Sequence, residues 1–185
     1  MPRVLHHAAA ILVAGIVACC SLPHGSQTVA PPATVPSSTI PGHYANVYPD
    51  VPDPKLTPGA TRSTDLATII ATETQAEAER PTQAVKDQVY REYGIDPKQH
   101  EPCEIDHLIP LSIGGANDLR NYWPELYVNR PGHPGASIKD RVEDKLYLLT
   151  RAKANPVPIP VAQHAISTDW KAAYVQYIGP MPAYD

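Results

Sequence analysis

Phenylalanine is absent from the 185 residues, cysteine appears three times and tryptophan twice, and no apolar run is long enough to span a bilayer. The longest such run, Ala8 to Cys20, covers thirteen residues, whereas a membrane-crossing helix needs about 20. Only Cys103 lies beyond the first two dozen residues, so the rest of the chain cannot close a disulfide of its own, and pairing with Cys20 would have to bridge a proline-rich stretch. A single Cys at the start of a strand is read as a small buried hydrophobe rather than as a nucleophile beside His107. There is no Gly-x-Ser-x-Gly, no His-Glu-x-x-His, no Cys-x-x-Cys pair and no phosphate loop, which removes the common serine-hydrolase, zinc-protease, redox and NTPase readings. No internal repeat is visible. Excess positive charge is also missing. The formal net charge is −4, which argues against tight general binding to nucleic acid, because that affinity is built from Lys and Arg neutralising phosphates.

The first two dozen residues have a secretory design, with Arg3, the apolar run, then Ser21 and Pro23. Residues 1–20 are therefore expected to be a signal peptide. Ile16-Val17-Ala18-Cys19 resembles a lipobox, so lipidation at Cys19 is favoured over a plain signal peptide that happens to contain Cys19 and Cys20. The expected location is exported: a cell-surface or periplasmic lipoprotein held to the membrane by its lipid, or a secreted protein. Ten of the 22 prolines fall before residue 60. Residues 21–60 combine them with Ser, Thr, Val and Gly without helical or alternating period, which predicts an extended, disordered tether.

Folded structure is expected over 61–179. Ser63 and Asp65 precede Leu66, Ile69 and Ile70 at helical spacing, predicting a helix over 64–79 that Pro81 ends. Val85, Val89 and Tyr93 form a second stripe stopping at Gly94. Ile105 and Ile109 favour a strand between Glu104 and Pro110. Gly114-Gly115 and Asn117-Asp118 supply turn chemistry before a return strand around Tyr122. Ser137 with Asp140 suits a helix cap, and Ile138, Val142, Leu146 and Leu149 recur at helical steps to about residue 153. Pro156, Pro158 and Pro160 then break the chain. Ile166, Trp170, Ala173, Tyr174 and Tyr177 line one side of a last helix ending before Gly179, and these aromatics are read as core rather than as stacking platforms for bases.

The segment from Cys103 to Pro124 carries the chemistry. Asp106-His107 is followed by Gly114-Gly115 and, 14 residues after the His, by Asn121 in Asn-Tyr-Trp-Pro. Further on stand Lys139, Asp140 and Glu143, then Asp169, Trp170 and Tyr174. This pattern resembles the HNH, or ββα-metal, nuclease family, and within it small bacterial and phage-type proteins carrying a Glu-Ile-Asp-His-Leu-Ile-Pro-Leu run. The resemblance spans roughly residues 56 to 178. It implies an α+β fold: a mainly helical small domain around a ββα hairpin-helix core at about 103–153.

Phosphodiester hydrolysis needs a deprotonated water in line with the leaving oxygen and positive charge on the transition state. His107 is the candidate general base, since an imidazole with a pKa of about 6.5 accepts protons at neutral pH. Asp106 is the candidate metal ligand, as hard cations prefer carboxylate oxygen. By the family pattern Asn121 ties the two sides of the hairpin together and fixes the His107 ring. The resemblance implies a divalent ion, Mg²⁺ or Mn²⁺ with Zn²⁺ or Ni²⁺ as alternatives, and a nucleic-acid substrate, DNA before RNA. Adjacent strand residues face opposite ways. Asp106 and His107 can share a site only if the strand ends or twists there, and Pro110 is consistent with an ending.

The chain departs from the family where the helix start offers a second His or Asn ligand, because Gly135 or Ser137 stands there. His133 and Asn129, just upstream in a loop, are the substitutes. Glu104 and Asp118 are read as solvated or structural. Lys139, Asp140 and Glu143 are read as helix-surface and hairpin-bracing charges, with Lys139 able to reach phosphate. Positive residues near the motif, among them Arg120, Arg130, Arg141, Lys145, Arg151 and Lys153, suit a loosely bound substrate. The competing reading is a non-catalytic surface lipoprotein that keeps the scaffold as a binding module.

Overall fold

The computed structural model describes residues 48–127, 129–130 and 133–183. The signal segment, Cys19 and the greater part of the proline-rich stretch lie outside the described residues. Among the described residues, four helices and one two-stranded antiparallel sheet make a small α+β domain: α1 (Leu66–Ala78), α2 (Gln83–Glu92), β1 (Cys103–His107), β2 (Tyr122–Leu126), α3 (Ala136–Thr150) and α4 (Ile159–Tyr177). Two single 3₁₀ turns, Leu111–Ile113 and Leu119–Asn121, lie between the strands.

Local chemistry sets most boundaries. The Asp65 carboxylate accepts from the Thr68 amide and caps α1, so that helix starts at Leu66 and is slightly shorter than its apolar pattern suggests. Past α2, Gly94 takes φ +72°, the left-handed conformation that ends helices. Helix α3 starts two residues ahead of the expected Ser137 cap: Gly135 is the cap residue and its N–H donates to Asn129 Oδ1 at 2.8 Å. It stops at Thr150 rather than near 153. Pro160 does not break the chain but sits in the first turn of α4, where a missing N–H costs nothing. That helix is interrupted at Asp169 (φ −162°, ψ 100°), whose Oδ1 accepts from the N–H groups of Lys171 and Ala172 and restarts it.

The sheet has a core on each side. Tyr48, Val89, Tyr90, Ile95, Cys103, Ile105, Tyr122 and Leu126 pack between the hairpin and α2. Trp123, Leu108, Ile109 and Ile113 join Ile138, Val142 and Leu146 of α3, Ile166, Trp170 and Tyr174 of α4, and Ile69 of α1 in the larger core. Each fully buried aliphatic side chain there contributes about 1.5–3 kcal/mol.

The folded unit begins before residue 61, contrary to the expectation of a tether through residue 60. Tyr48 is buried, Asp50 O accepts from Trp170 Nε1 at 2.6 Å, Thr57 Oγ1 donates to Tyr122 O at 2.7 Å, and Gly59 N donates to Arg120 O at 2.9 Å. Proline-rich composition hid these contacts because they are long-range and follow no local period.

Candidate active site

Strand β1 alternates regularly, with Cys103, Ile105 and His107 buried and Glu104 and Asp106 partly exposed on the other face. It ends at His107, which pairs with Tyr122 across the sheet. At that end both Asp106 and His107 line one small polar cleft of about 130 Å³, together with Glu77, Arg80, Glu104, Ser112 and Glu143. Termination of the strand thus brings two neighbours that point to opposite faces to a shared opening.

His107 is 6% exposed and its ring is positioned from two sides. Tyr122 meets it edge-on at 4.8 Å, and Nε2 lies 2.9 Å from Asn117 Oδ1. Asn117 Nδ2 is committed to the Ala76 carbonyl at 2.8 Å, and Tyr122 OH donates to the same Oδ1 at 3.0 Å. The amide therefore presents oxygen to the imidazole, Nε2 carries the proton, and Nδ1 keeps the lone pair. Nδ1 makes no hydrogen bond among the described residues and is not sealed from solvent. Burial lowers the His107 pKa below its ordinary value, Asn117 and Asp106 only partly opposing it. At neutral pH the ring is the free base.

Asn121 is fully buried in the turn beneath this ring. Its Oδ1 accepts from Ile109 N at 2.9 Å, and its Nδ2 donates to Ile109 O at 2.9 Å and Ala116 O at 3.0 Å. Leu108 N donates to Asn121 O at 2.8 Å, so the residue braces both legs of the hairpin just past His107. The side chain touches backbone only and holds the base's strand end in position. Glycine fits the same turn for steric reasons: a Cβ on Gly115 would overlap the Ile109 carbonyl oxygen.

Asp106 has a different neighbour from the one expected. Lys139 of α3 is 1% exposed rather than on the helix surface, and its ammonium reaches Asp106 Oδ2 at 2.5 Å, the His107 carbonyl at 2.9 Å, and Glu143. Three donors meet three acceptors. Burial opposes ionisation of Asp106, but the Lys139 ammonium prevails and holds the carboxyl below its ordinary range. Burial pushes Glu125 well above the usual carboxylate range and Glu143 to about 8. Burial would depress Lys139, yet Asp106, Glu143 and Glu125 raise it above the ordinary lysine value. Glu125 stands against Asp106, and its Oε1 is buried with no hydrogen-bond partner among the described residues.

This donor set does not fit a divalent ion. The Asp106 carboxylate is already held by the buried Lys139 ammonium, so a divalent ion would have to compete with a fixed charge for it. Neither expected substitute lines the cleft. His133 Nδ1 pairs with Asp50 Oδ1 at 2.7 Å, and His133 exchanges backbone hydrogen bonds with Arg130. Asn129 Oδ1 takes the Gly135 amide. Among the described residues no group of three or more His, Cys, Asp or Glu side chains is arranged to hold a metal.

Cys103 is buried against Tyr90, and burial pushes its thiol up to about 11, far from a thiolate nucleophile at neutral pH. Asn117 escaped the sequence reading as a site residue because it carries the common signature of a turn residue. The bracing charge of Lys139 is as expected, but its burial is not, since it follows from the placement of the hairpin against α3. No protein-family description, no curated protein and no solved structure matches this chain.

Proposed function

We propose that the protein is an exported endonuclease that hydrolyses phosphodiester bonds of DNA, with RNA as a secondary substrate, using His107 as general base. One observation carries the reading: an imidazole held below its ordinary pKa by burial, its Nε2 pinned by Asn117 and its Nδ1 without a hydrogen bond among the described residues, on a residue that lines a polar cleft. The Asp106-His107 to Asn121 pattern in a hairpin followed by α3 supports the likeness to the ββα core. In the proposed step Nδ1 takes a proton from a water whose oxygen attacks phosphorus. The bond from phosphorus to the leaving sugar oxygen, in line on the far side, breaks; that oxygen takes its proton from solvent water, and the imidazolium returns its own proton to solvent. Arg80, lining the cleft with a largely exposed side chain, is suited to meet the phosphate. The export and lipid attachment suggested by Ile16 to Cys19 would place this activity outside the cytoplasm.

Full-length protein should nick supercoiled plasmid, and His107→Ala should abolish nicking, with a thermal melt showing that the variant, although it loses a buried ring, still unfolds cooperatively. Absence of cleavage with or without Mg²⁺ or Mn²⁺ would refute it.

A second reading follows from the neutralised Asp106: a non-catalytic surface lipoprotein that keeps the scaffold to bind a partner. It predicts that His107→Ala changes nothing measurable.

A further inference from the structure

The four oxygen-bearing groups around Lys139 Nζ are a hard-cation cage by composition. Asp106 Oδ2 and the His107 carbonyl lie at 2.5 and 2.9 Å, Glu143 is in contact, and Glu125 stands against Asp106. Carboxylate and backbone carbonyl oxygens are the donors that Mg²⁺, Mn²⁺ and Ca²⁺ select. The cage also lies at the end of the strand that delivers His107, whose backbone carbonyl is part of it.

We propose that Lys139 is the resident cation of this cage, its ammonium standing where the nuclease resemblance expects a divalent ion, and that the site works without a free metal. The three hydrogen atoms of Nζ match three acceptors, so the ammonium has no donor left for phosphate and acts as a positioning residue. It ties the Asp106 carboxylate and the His107 backbone to α3, which fixes the base relative to the cleft. It is 1% exposed, and although Asp106 and Glu143 line the cleft, an ion entering from there would have to displace a hydrogen-bonded buried charge. The catalytic half of the proposal rests on the hydrolytic reading above; the cation half does not.

Mn²⁺ alone is the probe. In wild-type full-length protein the His107 ring signals in NMR should stay sharp at Mn²⁺ concentrations that broaden exposed carboxylates, and plasmid nicking should survive chelator. Lys139→Ala vacates the cage, and Mn²⁺ should then broaden His107 and bind at least about tenfold more tightly than to wild type. Lys139→Met, which fills the volume without charge, should not gain the ion. Broadening of His107 in the wild type by substoichiometric Mn²⁺ would overturn the cation claim even if neither variant folds. So would equal Mn²⁺ affinity in wild type and Lys139→Ala. Nicking that demands added metal would overturn the catalytic half. If no nicking occurs under any condition, the hydrolytic reading fails, and the Mn²⁺ measurements still decide whether Lys139 fills the cage.

Discussion

Asn121→Ala tests the idea that one buried amide holds the base in place. The side chain is fully buried and makes three bonds to backbone: one accepted from Ile109 N and two donated, to Ile109 O and Ala116 O. Alanine leaves an N–H and two carbonyls without these partners in a turn that water cannot readily enter. An unsatisfied buried donor costs about 1–3 kcal/mol, and carbonyls, with two lone pairs, cost less. Together with the void left by the amide, the loss should be about 3–5 kcal/mol, a large part of the roughly 5–15 kcal/mol that stabilises a typical domain. At about 3 °C per kcal/mol, Tm should fall by on the order of 10 °C. Urea unfolding followed by tryptophan fluorescence gives the free energy, and a thermal melt gives the second number. Asn121→Asp should fare no better: it keeps an acceptor for Ile109 N but aims a carboxylate at two carbonyl oxygens. A measured loss below about 1 kcal/mol for Asn121→Ala would refute the bracing argument.

Other expectations follow from the same geometry. Gly115→Ala should destabilise far more than Gly94→Ala, because the first methyl overlaps the Ile109 carbonyl whereas the second meets nothing within 4 Å and pays only for its positive φ; urea midpoints compare them directly. Deleting residues 48–60 should remove cooperative unfolding or lower Tm sharply, since Asp50 and Thr57 bind Trp170 and the Tyr122 carbonyl; an unchanged melt would show that this arm is dispensable. The Glu143 carboxyl is raised by burial from 4.5 to about 8 in the folded state, so the unfolded chain loses its proton first, and the stability it contributes declines as pH climbs from about 4.5 to about 8. Melts of Glu143→Gln should therefore show a flatter Tm across that window than wild type, and identical slopes would count against the assignment. Cleavage should need His107 neutral, so the rate should rise through a midpoint below the ordinary histidine value of 6.5 and then plateau; a midpoint above it would show that the ring is not desolvated.

Much of the frame could be read from residue pattern, because it depends on local rules. Asp65 as a cap, Gly94 as a stop, the apolar stripes of the helices and the turn residues between β1 and β2 each act within a few positions of themselves. Asn121 could be placed in the hairpin by its spacing from His107 and by likeness. Lys139 could not. With Glu143 one turn further along the helix, it has the spacing of an ordinary solvated ion pair, and only the packing of the hairpin over α3 buries it. Asp50 and Tyr48 sit among prolines and gain their roles from residues more than 50 positions away. His133 had the right chemistry for a ligand, but its partner is Asp50, which no local rule would select.

Asn117 joins the imidazole, the Tyr122 hydroxyl and the Ala76 carbonyl through one planar group. Ala76 lies in the last turn of α1, a helix that supplies no reacting atom. Readiness of the base is thus wired to how that turn is seated: if it slides outward, the amide can flip and the imidazole loses its preferred tautomer while the hairpin itself stays folded. Substitutions around Ala76 would then behave as throttles, slowing turnover in a protein whose melting curve looks untouched.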